Sequence, residues 1–278
     1  MADSVQSSAY AGEPSPLQLP QRGWARLALP GALILGVVVS LIAGLSSLTA
    51  FPQAPVLGYL LTWSPALLLG MLANIQISVL AIAIGTLAGL VIGGLQLSSL
   101  RVVRVLTHGY VQTFRNAPML ILIYFSTYVF PFELHLGTHY VAFPDWIKVT
   151  LGLALPASAN VAEIFRGAIL SIPAAQWEAA SSLAFRRTQL FRWIILPQCL
   201  RRMLPPWMNL YAGITMGTAL ASLVGVHDLL DTAQIASSTV ARSSFTVLTY
   251  VATLVIFFAY CYPISWLTRT CEKRLRTA

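Results

Sequence analysis

Charge is what this sequence has least of. Only 9% of its 278 residues are Asp, Glu, Lys or Arg, against roughly 25% in soluble domains. None of the 74 residues from Leu27 to Leu100 is charged. No water-facing surface of that length is built without charge, so the stretch excludes a soluble fold and marks a polytopic membrane protein. Lysine is nearly absent: Lys148 follows Ile147 and Lys273 follows Glu272. A phosphate-gripping Gly-rich loop ends in Gly-Lys-Ser/Thr, so the chain is not itself an ATPase of that kind. There is no Cys-x-x-Cys; Cys199, Cys261 and Cys271 are scattered and odd in number, which excludes a disulfide framework. His108, His135, His139 and His227 have no second ligand at metal-binding spacing. No Ser-His-Asp arrangement supports a membrane-embedded enzyme, and no Asn-x-Ser/Thr sequon is present.

What is present is apolar sequence in long blocks. Hydrophobic residues make up 57% of the chain. Six segments are long enough to cross a bilayer, which needs about 20 apolar residues: about Leu29–Thr49, Gly70–Leu97, Leu106–Phe130, Val149–Leu170, Leu204–Val224 and Thr246–Leu267. Residues 1–26 form a polar, disordered tail rich in Ser, Pro, Gln and Gly. Residues 27–65 hold a first helix, too long in its apolar core for a cleaved signal peptide, and an outer loop. No internal repeat stands out.

Basic residues orient the bundle. Arg22, Arg26, Arg101, Arg104, Arg186, Arg187, Arg192, Arg201, Arg202, Arg269, Lys273, Arg274 and Arg276 fall on one side; only Lys148 and Arg242 fall on the other, with Glu133, Asp145, Asp228 and Asp231. Thirteen against two puts both termini in the cytoplasm of a bacterial cell, with the protein multi-pass in its inner membrane. The net charge of +8 is explained by those loops and implies the lipid bilayer as partner, not nucleic acid. The outer loop Phe132–Ile147 alternates apolar and polar residues. Trp63, Tyr128, Tyr140, Trp146 and Tyr250 stand at belt positions.

The polar, basic run Pro173–Gln198 lies between two spans on the cytoplasmic side. Pro173 stands early in a helix, where its missing N–H costs nothing. Ala179 and Ala180 are small enough for another chain to approach closely. Thr188 caps a second helix, Gln189–Leu196, and Pro197 ends its regular bonding. The product is a short helix, a break and another short helix. An amphipathic interfacial loop is the plainer alternative.

Glu178-Ala179-Ala180, a small residue at Ala184, and Ile195-Leu196-Pro197 together resemble the EAA loop of ATP-binding cassette (ABC) importer permeases. The flanking runs Val161–Gly167, Ser171-Ile172-Pro173 and Gln176–Ala180 resemble the polar amino-acid uptake family of these permeases almost residue by residue. So do Thr113–Pro118 and Ser222–Val226. The resemblance covers about residues 66–272, leaving 273–278 as a basic cytoplasmic tail. It implies an all-helical membrane protein of the type I importer class, a five-helix core preceded by one peripheral helix. It also implies a cassette ATPase dimer that binds ATP and Mg²⁺ (none being held in this chain), a second permease subunit and an extracytoplasmic solute-binding protein. The coupling loop to the ATPase would use Trp177, Glu178, Ala179, Ala180, Leu183, Ala184 and Pro197, with Glu178 organising the loop by hydrogen bonding.

Two departures stand out. The family usually has Gly where this chain has Ala184, at a break that favours left-handed backbone. It often has Lys-Asp or Lys-Asn where this chain has Met216-Gly217, so a charged pair suited to a zwitterionic solute is missing. Thr218 and Ser222, four apart, remain as candidates for one solute-facing helical face, and the weak solute contacts imply a second permease of different sequence. Arg115, Glu163 and Arg166 lie within spans, where charge is costly. They either line or gate the solute path or form a structural ion group, Glu163 and Arg166 meeting at three residues' spacing. Asn74, Gln76 and Ser78 fit helix–helix hydrogen bonds. An ion-coupled secondary transporter is the alternative; Glu163 is the only carboxylate in a span to carry its ion.

Overall fold

The longest helix starts where the sequence predicts an outer loop. The computed structural model describes residues 56–136 and 139–276; the expected first span and polar tail lie outside the described residues. Helix α1, Val56–Gln96, therefore takes in residues 56–65. At 1.5 Å per residue it is about 60 Å long, twice the hydrocarbon thickness.

Ser98 and Ser99 turn the chain into α2, Arg101–Asn116, an amphipathic helix, and then α3, Met119–Val129. The single third span expected at Leu106–Phe130 is thus two helices. Pro118 supplies no N–H and biases its neighbour away from helix; Ala117 is extended, with φ −72° and ψ 134°. The segment expected as an outer loop folds as a hairpin, β1 Glu133–Leu136 paired antiparallel with β2 His139–Ala142, Glu133 opposite Ala142. Its alternating pattern has the period of a strand.

Helix α4, Asp145–Leu170, runs beside α1 in the same direction. The reason is a stripe of glycines on α1. A Cβ at Gly85 would lie 2.6 Å from Ala157 Cβ, one at Gly89 2.6 Å from the Ser158 carbonyl oxygen, and one at Gly93 2.8 Å from the Ala162 carbonyl oxygen. Lipid is as apolar as leucine, so helices in a membrane gain from close packing of small residues.

The polar, basic segment is α5, Ala174–Ser182, then α6, Arg187–Gln189. A π-helical turn, Leu190–Ile195, leads without interruption into α7, Leu196–Gly217. A 3-10 helix, Thr218–Val224, and Gly225 at φ +83° end that rod. Helix α8, Leu229–Val240, folds back against α1, and α9, Ser243–Arg276, contains the sixth span expected at Thr246–Leu267 and extends helix into the basic tail. Among the described residues α1, α4 and α9 are long and apolar enough to cross a membrane; Arg187–Val224 and Leu229–Val240, bent by 47°, make a fourth if the pair is one broken span.

Three cores hold this together. Ile77, Ala81, Ile123, Leu153 and Ile214 join α1, α3, α4 and α7. Leu67, Met71, Leu229 and Ala233 join α1 to α8. Phe165, Ile169, Ala180, Leu190, Ile195 and Cys199 form the third, under the polar loop.

Candidate functional site

The polar loop is a clamped bracket. Ser171 ends α4, and Arg202 on α7 donates from Nη1 to the Ser171 hydroxyl at 2.7 Å and also to its carbonyl. Gln198 Nε2 donates to Gln176 Oε1 at 2.6 Å and to the Ile194 carbonyl at 2.9 Å. The first bond ties α5 to α7, and Trp177 packs against the loop core. None of Gln176, Gln198, Ser171 and Arg202 stands out in the sequence as a clamp, because partners 22 and 31 residues apart leave no periodic trace.

Helix α5 ends in a Schellman arrangement. Phe185 N–H bonds to the Ala180 carbonyl at 3.3 Å and Ala184 N–H to the Ser181 carbonyl at 3.0 Å. Ala184 itself sits at φ +56°. The break is therefore the one glycine favours, kept with a Cβ in place at a cost of about 1–2 kcal/mol. Replacing Ala184 by Gly should remove that strain and return part of it as chain entropy. A net gain of up to about 1 kcal/mol is expected, read as hydrogen exchange at Leu183–Phe185 slowed by about threefold to fivefold. Unchanged or faster exchange would show that the left-handed residue is not strained.

Other expectations for the loop need correcting. Thr188 does not cap the second helix: Arg186 precedes it, and the Gln189 side chain accepts from Arg186 N–H at 2.9 Å. Pro197 does not end the helix; it lies in the first turn of α7. The π-helical turn before it widens the backbone, with Leu196 N–H bonding back to Phe191, so Pro197 needs no bond to residue 193. Ala180 is not on an outward face. It is 3% exposed and packs within the loop core with Leu190 and Ile195; its smallness admits its own chain. Glu178 does not organise the loop: its carboxylate is exposed with no hydrogen bond or ion pair among the described residues. The outward face is Glu178, Ala179 and Leu183, and Leu183 is 73% exposed.

Deeper in, Glu163 gathers two cations. Arg166 Nε donates to Glu163 Oε2 at 3.2 Å, and Arg166 Nη2 to Oε1. Arg115 Nη1, from the end of α2, stands 4.0 Å from Oε2. All three are a quarter to a third exposed, so each ion pair is worth at most about 1 kcal/mol. One positive charge remains over at an open surface. Tyr110 and Ser158 add a hydroxyl pair at 2.7 Å between the same two helices.

The residues around 216–222 behave differently from expectation. Residues 218–224 wind at about three per turn, so Thr218 and Ser222 point roughly 120° apart and share no face. Thr218 is fully buried; its Oγ1 accepts from Asn74 Nδ2 at 3.0 Å and donates to the Thr215 carbonyl at 2.7 Å. Asn74 Nδ2 also donates to Asp228 Oδ2 at 3.1 Å, and Asn74 Oδ1 accepts from Leu229 N–H at 3.0 Å. Asp228 Oδ1 accepts from Asp231 N–H at 2.8 Å, so this buried acid caps α8 and is no outer-loop charge. Ser222 Oγ donates to the Ala219 carbonyl at 2.9 Å. Gly217 yields the space of a side chain to the Met119 thioether, with Leu153 behind it. An acid or amide at 217 would require the Met119 side chain to move aside. Met216 is 56% exposed.

Comparison with known proteins agrees with this architecture. Residues 81–277 match the family model described as binding-protein-dependent transport system inner membrane component. The chain is 31% identical over 211 residues to the probable amino-acid ABC transporter permease protein YckA of Bacillus subtilis (strain 168), covering 76% of this chain and 89% of that one. It is 29% identical over 205 residues to the probable glutamine ABC transporter permease protein GlnP of the same organism, covering 74% and 91%. Among solved structures, an amino acid ABC transporter with histidines superposes with a TM-score of 0.69 at 26% identity, over 80% of this chain and 99% of that one. These matches set aside an ion-coupled secondary transporter: the chain belongs to the family of binding-protein-dependent transport system inner membrane components.

Proposed function

We propose that the chain is one transmembrane subunit of an ATP-driven importer that moves a polar amino acid from an extracytoplasmic binding protein into the cytoplasm. One observation carries this reading. A loop braced from behind by Arg202 and Gln198 presents an unpartnered face of Glu178, Ala179 and Leu183. A rigid mount with an open apolar tip is what force transmission from a separate subunit requires. The relatives named as amino-acid permeases supply the solute class. ATP and Mg²⁺ belong to the cassette ATPase dimer docked on that face, and this chain does no covalent chemistry. Both termini and the loop stand in the cytoplasm, following the basic residues. Arg115, Glu163 and Arg166 border the inner part of the solute path, where the surplus positive charge faces water.

The second permease is a related chain of different sequence. Met216 carries no charge, Gly217 is filled by Met119, and Thr218 and Ser222 spend their hydroxyls on the fold. Solute contacts at the level of residues 216–222 therefore come from across the interface. The test is ATP-driven uptake in vesicles containing this chain, the cassette and the binding protein, with and without the second permease. Uptake only when the second permease is added is expected. Full uptake without it would overturn the heterodimer; no uptake in either case would overturn the importer.

A further inference from the structure

A cavity of about 370 Å³ opens at the end of the bundle opposite the coupling loop. That is near the lower end of the ~300–1,000 Å³ typical of small-molecule sites, and it suits a single amino acid. Gln76 and Ile77 come from α1, Asp145 and Trp146 from the start of α4, and Val226 and His227 from the turn after the 3-10 helix. Trp146 and Val226 belong to the apolar core behind.

The charges around this cavity are arranged in two pairs. Lys148 is fully buried, its Nζ 3.0 Å from Asp145 Oδ1 and 3.9 Å from the centre of the Phe132 ring. Asp231, mostly buried, holds His227 Nδ1 at 2.7 Å. In each pair one partner sits behind and the other faces the cavity. Asp145 Oδ2 and His227 Nε2 have no protein partner among the described residues, and neither has the Gln76 amide. The cavity thus displays a carboxylate, an imidazole and an amide, while the acid–base pairs sum to no large net charge.

Resting on the importer reading above, we infer that this cavity is a solute-receiving site for a zwitterionic amino acid with an uncharged side chain. The ligand's ammonium meets Asp145 Oδ2. Its carboxylate meets the His227–Asp231 pair and the Gln76 amide, and the side chain lies on Trp146. A cationic side chain would compete with Lys148 for Asp145, and an anionic one would meet the Asp231 charge behind His227. The site lies apart from the Arg115–Glu163–Arg166 group and from the coupling loop.

The test is direct binding of tritiated L-glutamine to the purified complex of this chain with its cassette and second permease in lipid nanodiscs, without the solute-binding protein. L-Arginine and L-glutamate, of similar length, serve as the cationic and anionic competitors. Saturable glutamine binding is expected, with both competitors at least about tenfold weaker. His227→Ala and Gln76→Leu are both at exposed positions. Each removes a hydrogen bond to a charged group and should weaken glutamine binding about tenfold or more. Asp145→Asn leaves Lys148 buried without its counter-ion, so the two milder variants decide. Wild-type affinity in both variants overturns the site, as does equal binding of arginine or glutamate. Impaired docking of the binding protein with unaltered glutamine binding also overturns it, in favour of a protein-docking face. ATP-driven uptake by the wild-type complex is measured in parallel. Its absence counts against the importer reading, whereas normal uptake with variants that still bind glutamine counts against this site alone.

Discussion

Leu183→Asp should release the cassette ATPase. Leu183 is 73% exposed at the tip of the braced loop, and docking would bury it. Losing that burial costs about 2 kcal/mol, and desolvating an unpaired carboxylate costs more. Together they amount to at least about 3 kcal/mol, or roughly 100-fold in affinity. The cassette should fail to co-purify and ATP-driven uptake should fall to background, while the permease keeps its melting temperature. Ala180→Glu also abolishes uptake, by a different route: it drives a charge into the loop core beside Leu190 and Ile195, so its melting temperature falls. Normal co-purification of the Leu183→Asp protein would mean that the cassette docks elsewhere.

Gly89→Leu should prevent folding of the membrane domain. A Cβ at this position meets Val161 Cβ and the Ser158 carbonyl oxygen at 2.6 Å. Backbone cannot yield as a flexible side chain can, and Gly85 and Gly93 on either side hold the same two helices together. The cost exceeds the roughly 1–3 kcal/mol of ordinary overpacking, and loss of monodisperse protein after detergent extraction is expected. Gly94→Leu is the control on the same helix, since nothing lies within 4 Å of a Cβ there; its effect should stay within about 0.5 kcal/mol. Equal behaviour of the two variants would remove the close approach of α1 and α4 as the cause.

How much of this is legible without coordinates depends on the range of the interaction. Helix α5 is a local matter: Pro173 at its start, small helix-forming residues within, and a break at Ala184 are all written in neighbouring positions. Hydropathy places the spans that continue as single helices, but not the break at Ala117, although Pro118 and the polar Gln112, Thr113, Arg115 and Asn116 before it mark it, because a window of span length averages the amphipathic end of α2 with the apolar α3. The direction in which Ala180 points is set by Leu190 and Ile195 across the loop core, which periodicity of one short helix does not reveal. The same holds for Thr218 and Ser222: their spacing reads as one face only on an α-helix, and a switch to the tighter winding has no sequence marker here. The glycine stripe is visible at every fourth residue, yet glycines 85, 89 and 93 read equally as ordinary membrane-helix composition until α4 is seen against them. Asn74 sits in a span as a polar residue, and only the fold shows that it joins α1, the 3-10 helix and α8 through one amide.

The uninterrupted helical path from Arg187 to Gly217 has a mechanical meaning. At 1.5 Å per residue it spans about 45 Å, with one end in the braced loop and the other against Met119. The π-helical turn lets Pro197 near its base pass without a lost bond, whereas Pro205 and Pro206 in its interior remove two backbone donors and mark where it can bend. A tilt of about 6° at the loop moves the far end of a straight path of this length by about 5 Å, close to one helical turn, and bending at the proline pair shortens that travel.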